Sequence, residues 1–229
     1  MIARAALTTT LTALLSLVTS DAVAQGKPRL RRPLPPPLPP PTLEIGGYAM
    51  LGVMNFTAAD SFDVILGSPS GMILGGGVRV GLPLGGLFVD VGAWRFGGEG
   101  ERVFVFEGRE FPLGIPVEIT ITPLELTGGW QFRFRRARRF RAYVGGGLTS
   151  FGYKETSAST AATEQVDERF NGYHVLGGAE YRVGRWIALG SDVNWATVPD
   201  AIGDGGVSAA FDESNLGGTS FRFKITIGQ

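Results

Sequence analysis

The sequence predicts an all-β fold, an eight-stranded antiparallel up-and-down β-barrel that crosses a membrane. Three observations predict it. From residue 42 onward side chains alternate apolar and polar with period two, with no helical stripe. The links between alternating segments are short and long in turn. Charges collect on one face of nearly every segment, large aliphatic and aromatic groups on the other.

Two stretches precede the barrel region 42–229. "MIAR" is a positive start, "AALTTTLTALLSLV" an apolar run too short for a membrane helix, and "AVA" before Gln25 a small-residue cleavage pattern. That order is a secretory signal peptide at 1–24. Residues 25–41, "QGKPRLRRPLPPPLPPP", form a stiff basic spacer in polyproline II, because each proline fixes φ and lacks an N–H donor. Lys plus Arg and Asp plus Glu both number 21, so no basic excess argues for nucleic acid. Cysteine is absent and His174 is the one histidine, which excludes disulfides, cysteine nucleophiles and zinc sites built on several imidazoles. No cofactor or metal is expected.

The alternating segments fall at 43–56, 71–82, 86–96, 117–134, 140–153, 170–183, 185–196 and 218–228. The first three carry Glu44, Arg79 and Asp90 on their polar faces. In the fourth, Leu124, Leu126, Trp130, Phe132 and Phe134 oppose Glu125, Thr127, Gln131 and Arg133. The fifth sets Phe140, Ala142, Val144 and Leu148 against Arg141, Tyr143 and Thr149, and the sixth points His174, Glu180 and Arg182 inward. The seventh sets Ile187, Leu189, Val193 and Trp195 against Asp192 and Asn194. The eighth sets Phe221, Phe223, Ile225 and Ile227 against Ser220, Arg222, Lys224 and Thr226.

Three links are short, "PLGG" near 83–86, "RRARR" at 135–139 and "GR" at 184–185; four are long, at about 57–70, 97–116, 154–169 and 197–217. Short turns at one end and long loops at the other are the transmembrane-barrel pattern. A soluble barrel would alternate equally but turn its charges to water. Here the apolar face carries Trp130, Trp195, Phe134, Phe140, Phe221 and Tyr181 near strand ends, as interfacial girdles require, behind a signal peptide.

On strand count, loop asymmetry and facing pattern, region 42–229 resembles the small eight-stranded bacterial outer-membrane barrels, the OmpA transmembrane-domain and OmpX-like family. The resemblance implies an outer-membrane location with both termini periplasmic. It implies outer-membrane lipids, lipopolysaccharide and the barrel-assembly machinery as partners, and no nucleic acid. Such barrels usually end on an aromatic residue; "FKITIGQ" ends on Gly228 and Gln229, so the insertion signal is imperfect or displaced inward.

The arginines of "WQFRFRRARRFRAY" then divide. Arg133 and Arg141 belong to inward faces, while Arg135, Arg136, Arg138 and Arg139 form a basic turn beside the inner leaflet. Acidic residues dominate the long loops. The inward charges expected are Glu44, Arg79, Asp90, Glu125, Arg133, Arg141, Glu180, Arg182, Asp192, Arg222 and Lys224. In a lumen that only just fits side chains they either pair as a plug or line a narrow ion path. His174 is expected as a hydrogen-bonded lumen residue beside Glu180 and Arg182, not as a catalytic base, since no serine neighbours it on that strand. Some small outer-membrane barrels of this size act on lipid A, so a lipid-modifying enzyme stands third, behind a structural or surface-interaction barrel and a narrow channel. The alternation of 98–122 continues past the expected membrane edge, predicting a projecting hairpin on which Phe104, Phe106 and Phe111 meet an extracellular partner, including by strand addition, or pack within their own loop layer.

Overall fold

A computed structural model describes residues 43–106, 109–134, 136–157, 166–203 and 205–228. The signal segment 1–24, the spacer 25–41 and Arg135 lie outside the described residues. The strands are β1 (Glu44–Phe56), β2 (Ser70–Gly81), β3 (Leu87–Phe106), β4 (Arg109–Arg133), β5 (Phe140–Ser157), β6 (Val166–Arg182), β7 (Ile187–Thr197) and β8 (Gly218–Gly228). Each pairs antiparallel with its sequence neighbour, and β1 closes onto β8 from Gly46↔Gly228 to Phe56↔Gly218. Closure leaves no open edge within the membrane band, the condition for placing a sheet in hydrocarbon.

The alternation resolves into an inverted molecule. Leu51, Val53, Leu126, Leu148, Leu189, Phe223 and Ile225 point outward and are exposed, whereas Asp90, Glu125, Asp192, Arg222 and Lys224 are buried inside. Trp130, Phe132, Phe134, Phe140, Tyr181 and Trp186 ring the short-turn end, with Tyr173 and Trp195 outward nearer the long-loop end. Ile187 and Trp195 both face outward on β7. At ~3.3 Å per residue they stand about 26 Å apart along the strand. A strand tilt of 35–45° makes that roughly 20 Å of height, within the apolar band of an outer-membrane barrel. Among the described residues no helix is long and apolar enough to cross a membrane, which says nothing about crossing by strands.

Three expectations need correction. β3 and β4 are one long hairpin paired as far as Phe106↔Arg109, as the alternation of 98–122 predicts, so the link placed at 97–116 is mostly strand, with an irregularity between Glu101 and Val103. β5 and β6 also overrun their expected ends, to Ser157 and from Val166. Two short helices interrupt the long loops where none was expected, α1 (Ala59–Leu66) and α2 (Gly206–Ala210). α1 is eight residues, too short to show a stripe over a prediction window, but Phe62, Ile65 and Leu66 share its inner face. Gly67 ends it at φ 72°, a left-handed conformation that glycine adopts at low cost.

Candidate functional site

The lumen is filled in two layers. The layer toward the short turns is polar. At its mouth Glu44 accepts from Arg133 at 2.8 Å and from Arg141 at 2.9 Å. Further in, Arg79 binds Asp90 at 2.9 Å and Glu180 at 3.0 Å, and the Tyr48 hydroxyl donates to Asp90 at 2.7 Å. The Arg79 guanidinium also lies against the rings of Tyr143 and Phe88, at 4.2 and 4.6 Å. At mid-height Asp192 takes Arg222 and Lys224, each at 2.6 Å, together with the Tyr143 hydroxyl at 2.9 Å. Glu125 completes the network, accepting from Arg222 at 2.8 Å, from Trp94 Nε1 at 2.9 Å and from Asn194 Nδ2 at 3.1 Å.

These contacts place ten of the eleven inward charges in ion pairs. Arg182 lines the mouth with Arg139 and Arg141 and has no ion pair among the described residues. Arg133 sits at the rim with its side chain 55% exposed, so its pair is wet, whereas the Arg222–Asp192 pair is 1% and 0% exposed. Burying charge is costly unless each ion is bonded, and four of these five acids, Glu44, Asp90, Glu125 and Asp192, collect two or more donors apiece.

Inward glycines make the room. A Cβ on Gly92 would stand 2.5 Å from the Tyr48 hydroxyl, and one on Gly178 would stand 2.8 Å from the Tyr143 ring. Both tyrosines lie across the lumen, so bulk on one strand demands its absence on another.

The layer toward the long loops is apolar, which the charge pattern did not reveal. Met54, Ile73, Trp94, Phe96, Ile121 and Phe151 are all buried there. α1 drops Phe62 onto this layer, stacked on Phe56 with centroids 4.2 Å apart, and Phe96 meets Phe56 edge-on at 5.0 Å. α1 is held from the β7–β8 connection: the amides of Asp60 and Ser61 donate to the Glu213 carboxylate at 3.1 and 2.9 Å. A carboxylate there satisfies amides that lack helical partners and complements the dipole.

His174 is 1% exposed and bonds Thr127 Oγ1 through Nε2 at 2.8 Å. It stands level with Thr127, two strands away on β4, and not beside Glu180 and Arg182. Those lie on its own strand about 20 Å or more toward the turns at ~3.3 Å per residue.

On the hairpin, Phe104 and Phe111 are cross-strand partners and exposed. Phe106 takes part in the pairing, and its side chain lies outside the described residues. Pro112 and Pro116 on β4 lack N–H donors, which weakens that strand as a template for strand addition.

A closed ring of eight antiparallel strands, apolar outside and ion-paired within, defines the chain's fold as that of the small outer-membrane barrels. A major outer membrane protein from Thermus thermophilus superimposes over 82% of this chain and 99% of its own, with 11% identity and a TM-score of 0.53. OprG from Pseudomonas aeruginosa aligns over 82% and 94%, with 12% identity and a TM-score of 0.49. The neisserial surface protein NspA aligns over 81% and 95%, with 10% identity and a TM-score of 0.47. At such identities the likeness is one of fold. No protein-family model and no curated protein matches the sequence.

Proposed function

We propose that this chain is a non-enzymatic structural and surface-contact protein of the bacterial outer membrane, its lumen sealed and its short turns and termini periplasmic. The observation that carries the reading is the double seal, an ion-pair network reaching from β8 to β4 below a layer of stacked rings. An ion crossing it would have to break charge-assisted bonds and then enter an apolar layer, two large barriers in series. The exposed apolar band fits the hydrocarbon of outer-membrane lipids. Exposed Arg136, Arg138, Arg139 and Arg185 at the short-turn end suit phosphates of the inner leaflet. The opposite end faces lipopolysaccharide, and insertion would pass through the barrel-assembly machinery.

Burial of His174 against Thr127 supports the non-enzymatic reading, because a base sealed inside the lumen cannot reach a lipid acyl chain. The hairpin supports surface contact: Phe104 and Phe111 offer a paired aromatic face beyond the barrel wall to an extracellular protein.

The test is single-channel conductance of residues 25–229 refolded into a planar bilayer, with folding checked by the gel shift between boiled and unboiled protein. Shifted protein that stays silent is the expected result. A reproducible unitary current from shifted protein would make the lumen charges a selectivity filter and overturn the sealed reading. Deleting 100–114 is expected to keep the shift while abolishing cross-links to external proteins; loss of the shift would make the hairpin structural instead.

A further inference from the structure

The mouth of the barrel at the short-turn end holds two pairs of like charges on neighbouring strands. In the first, Arg133 and Arg141 stand opposite each other on β4 and β5. Like charges in that position repel. The chain answers with a carboxylate: Glu44 reaches across from β1 and accepts from Arg133 at 2.8 Å and from Arg141 at 2.9 Å. In the second pair, the Arg182 amide donates to the Arg139 carbonyl at 2.7 Å, one step beyond the partners Phe140↔Tyr181. Arg139 therefore stands opposite Arg182, with Cβ atoms about 5 Å apart. Neither has an ion pair among the described residues, so no side chain there plays the part of Glu44.

Arg139 and Arg182 line one open concavity together with Arg79, Arg141 and two acids, Glu44 and Glu180. Both acids are already engaged, Glu44 by Arg141 and Glu180 by Arg79. Four arginines against two glutamates leave the lining with a net charge of +2. The space beside them is about 50 Å³. A water-sized group needs ~10–15 Å³, so the room suits roughly four oxygens, the complement of one phosphate. Guanidinium forks grip phosphate oxygens in pairs, and a phosphate monoester carries a charge of about −2 at neutral pH.

We propose that Arg139 and Arg182 form a binding site for a soluble phosphate dianion, free or as a monoester, whose oxygens bridge the pair as the Glu44 carboxylate bridges Arg133 and Arg141. The inference goes beyond the sealed-lumen reading and does not need it, because both arginines lie on the mouth side of the ion-pair network.

The experiment follows the side-chain Nε–H signals of isotope-labelled arginine in residues 25–229, refolded in a maltoside detergent free of phosphate. Glycerol phosphate, dimethyl phosphate or chloride is added at constant ionic strength. Glycerol phosphate should shift Arg139 and Arg182 to saturation and bind several-fold more tightly than dimethyl phosphate, a diester with a single charge. Chloride should leave both signals in place. Arg139→Gln and Arg182→Gln should each weaken binding about tenfold, the worth of a hydrogen bond to a charged group. Arg138→Gln, exposed on the same turn but outside the concavity, should change it little. An equal loss at Arg138→Gln would mean diffuse attraction to a basic surface and overturn the site. So would glycerol phosphate that shifts neither arginine. The same shifts in phosphatidylglycerol nanodiscs, before any ester is added, would give the pair to a lipid headgroup and overturn the soluble ligand. If Arg182→Gln fails the gel shift, the comparison of Arg139→Gln with Arg138→Gln decides the matter by itself.

Discussion

Arg222 Nη1 meets Glu125 Oε2 at 2.8 Å across the full width of the barrel, from β8 to β4, with the two side chains 1% and 5% exposed. In a closed ring ordered β1 to β8, those strands stand opposite each other, four steps apart in either direction. One ion pair therefore spans the lumen, and Asp192 on the adjoining β7 holds the same guanidinium through Nε at 2.6 Å. Removing Arg222 leaves Glu125 buried without its cation, while Asp192 retains Lys224. Arg222→Met is expected to lower stability by about 3–5 kcal/mol. Urea unfolding in lipid vesicles, followed by the gel shift, measures it; a variant as stable as the parent would show that the network does not hold the walls together.

Tyr48 fits because Gly92 has no side chain. A Cβ there would stand 2.5 Å from the tyrosine oxygen, with its other neighbours at 3.7 Å, ordinary contact distance. Gly92→Ala is expected to destabilise by about 1–3 kcal/mol through overpacking. Tyr48→Phe also costs stability, since Asp90 loses a donor. Because the clash is with the hydroxyl itself, the double variant should lose less than the two singles added together. A double-mutant cycle by urea unfolding reads the coupling, and additive losses would remove the steric account.

Glu213 ties α1 to the far loop. Glu213→Ala removes the acceptor of two helix amides, and the loop layer should loosen by about 1–2 kcal/mol while the barrel stays folded. Hydrogen exchange should rise across Ala59–Leu66 and leave β1 and β8 unchanged. Exchange that rose equally in the strands would instead make α1 part of the barrel's cooperative unit.

The tryptophans give the membrane geometry. Trp130 and Trp195 are 42% and 44% exposed on the outer surface, near the short-turn and long-loop ends, whereas Trp94 is 3% exposed inside, bonded to Glu125. In single-tryptophan variants, brominated lipids should quench Trp130 and Trp195, and more strongly with bromine near the headgroups than at the acyl ends. Trp94 should be the least quenched. Quenching of Trp94 equal to that of the other two would contradict the inward-facing assignment.

Much of this protein is local, and so it can be read without coordinates. Period-two alternation states which side chains share a face, and the inward charges named from it, Glu44 to Lys224, line the lumen or, for Arg133, its rim. The long hairpin is equally legible, because 98–122 goes on alternating. α1 is less so: the spacing of Phe62, Ile65 and Leu66 before Gly67 is its signature, but two turns give a periodicity too brief to stand out.

What alternation cannot supply is height and partnership. Inside the long-loop half, Met54, Trp94, Phe96 and Phe151 are as apolar as the side chains facing outward, so a face defined by charge disappears there and the upper seal goes unseen. Arg222 and Glu125 are 97 residues apart, and nothing in either strand's own sequence says that they meet. The stagger accumulated around a closed barrel sets their common level. The sequence by itself therefore determined which residues turn inward, since that follows from the geometry of a single strand. Only the tertiary structure decided which of them touch, because ring closure and strand register belong to all eight strands at once.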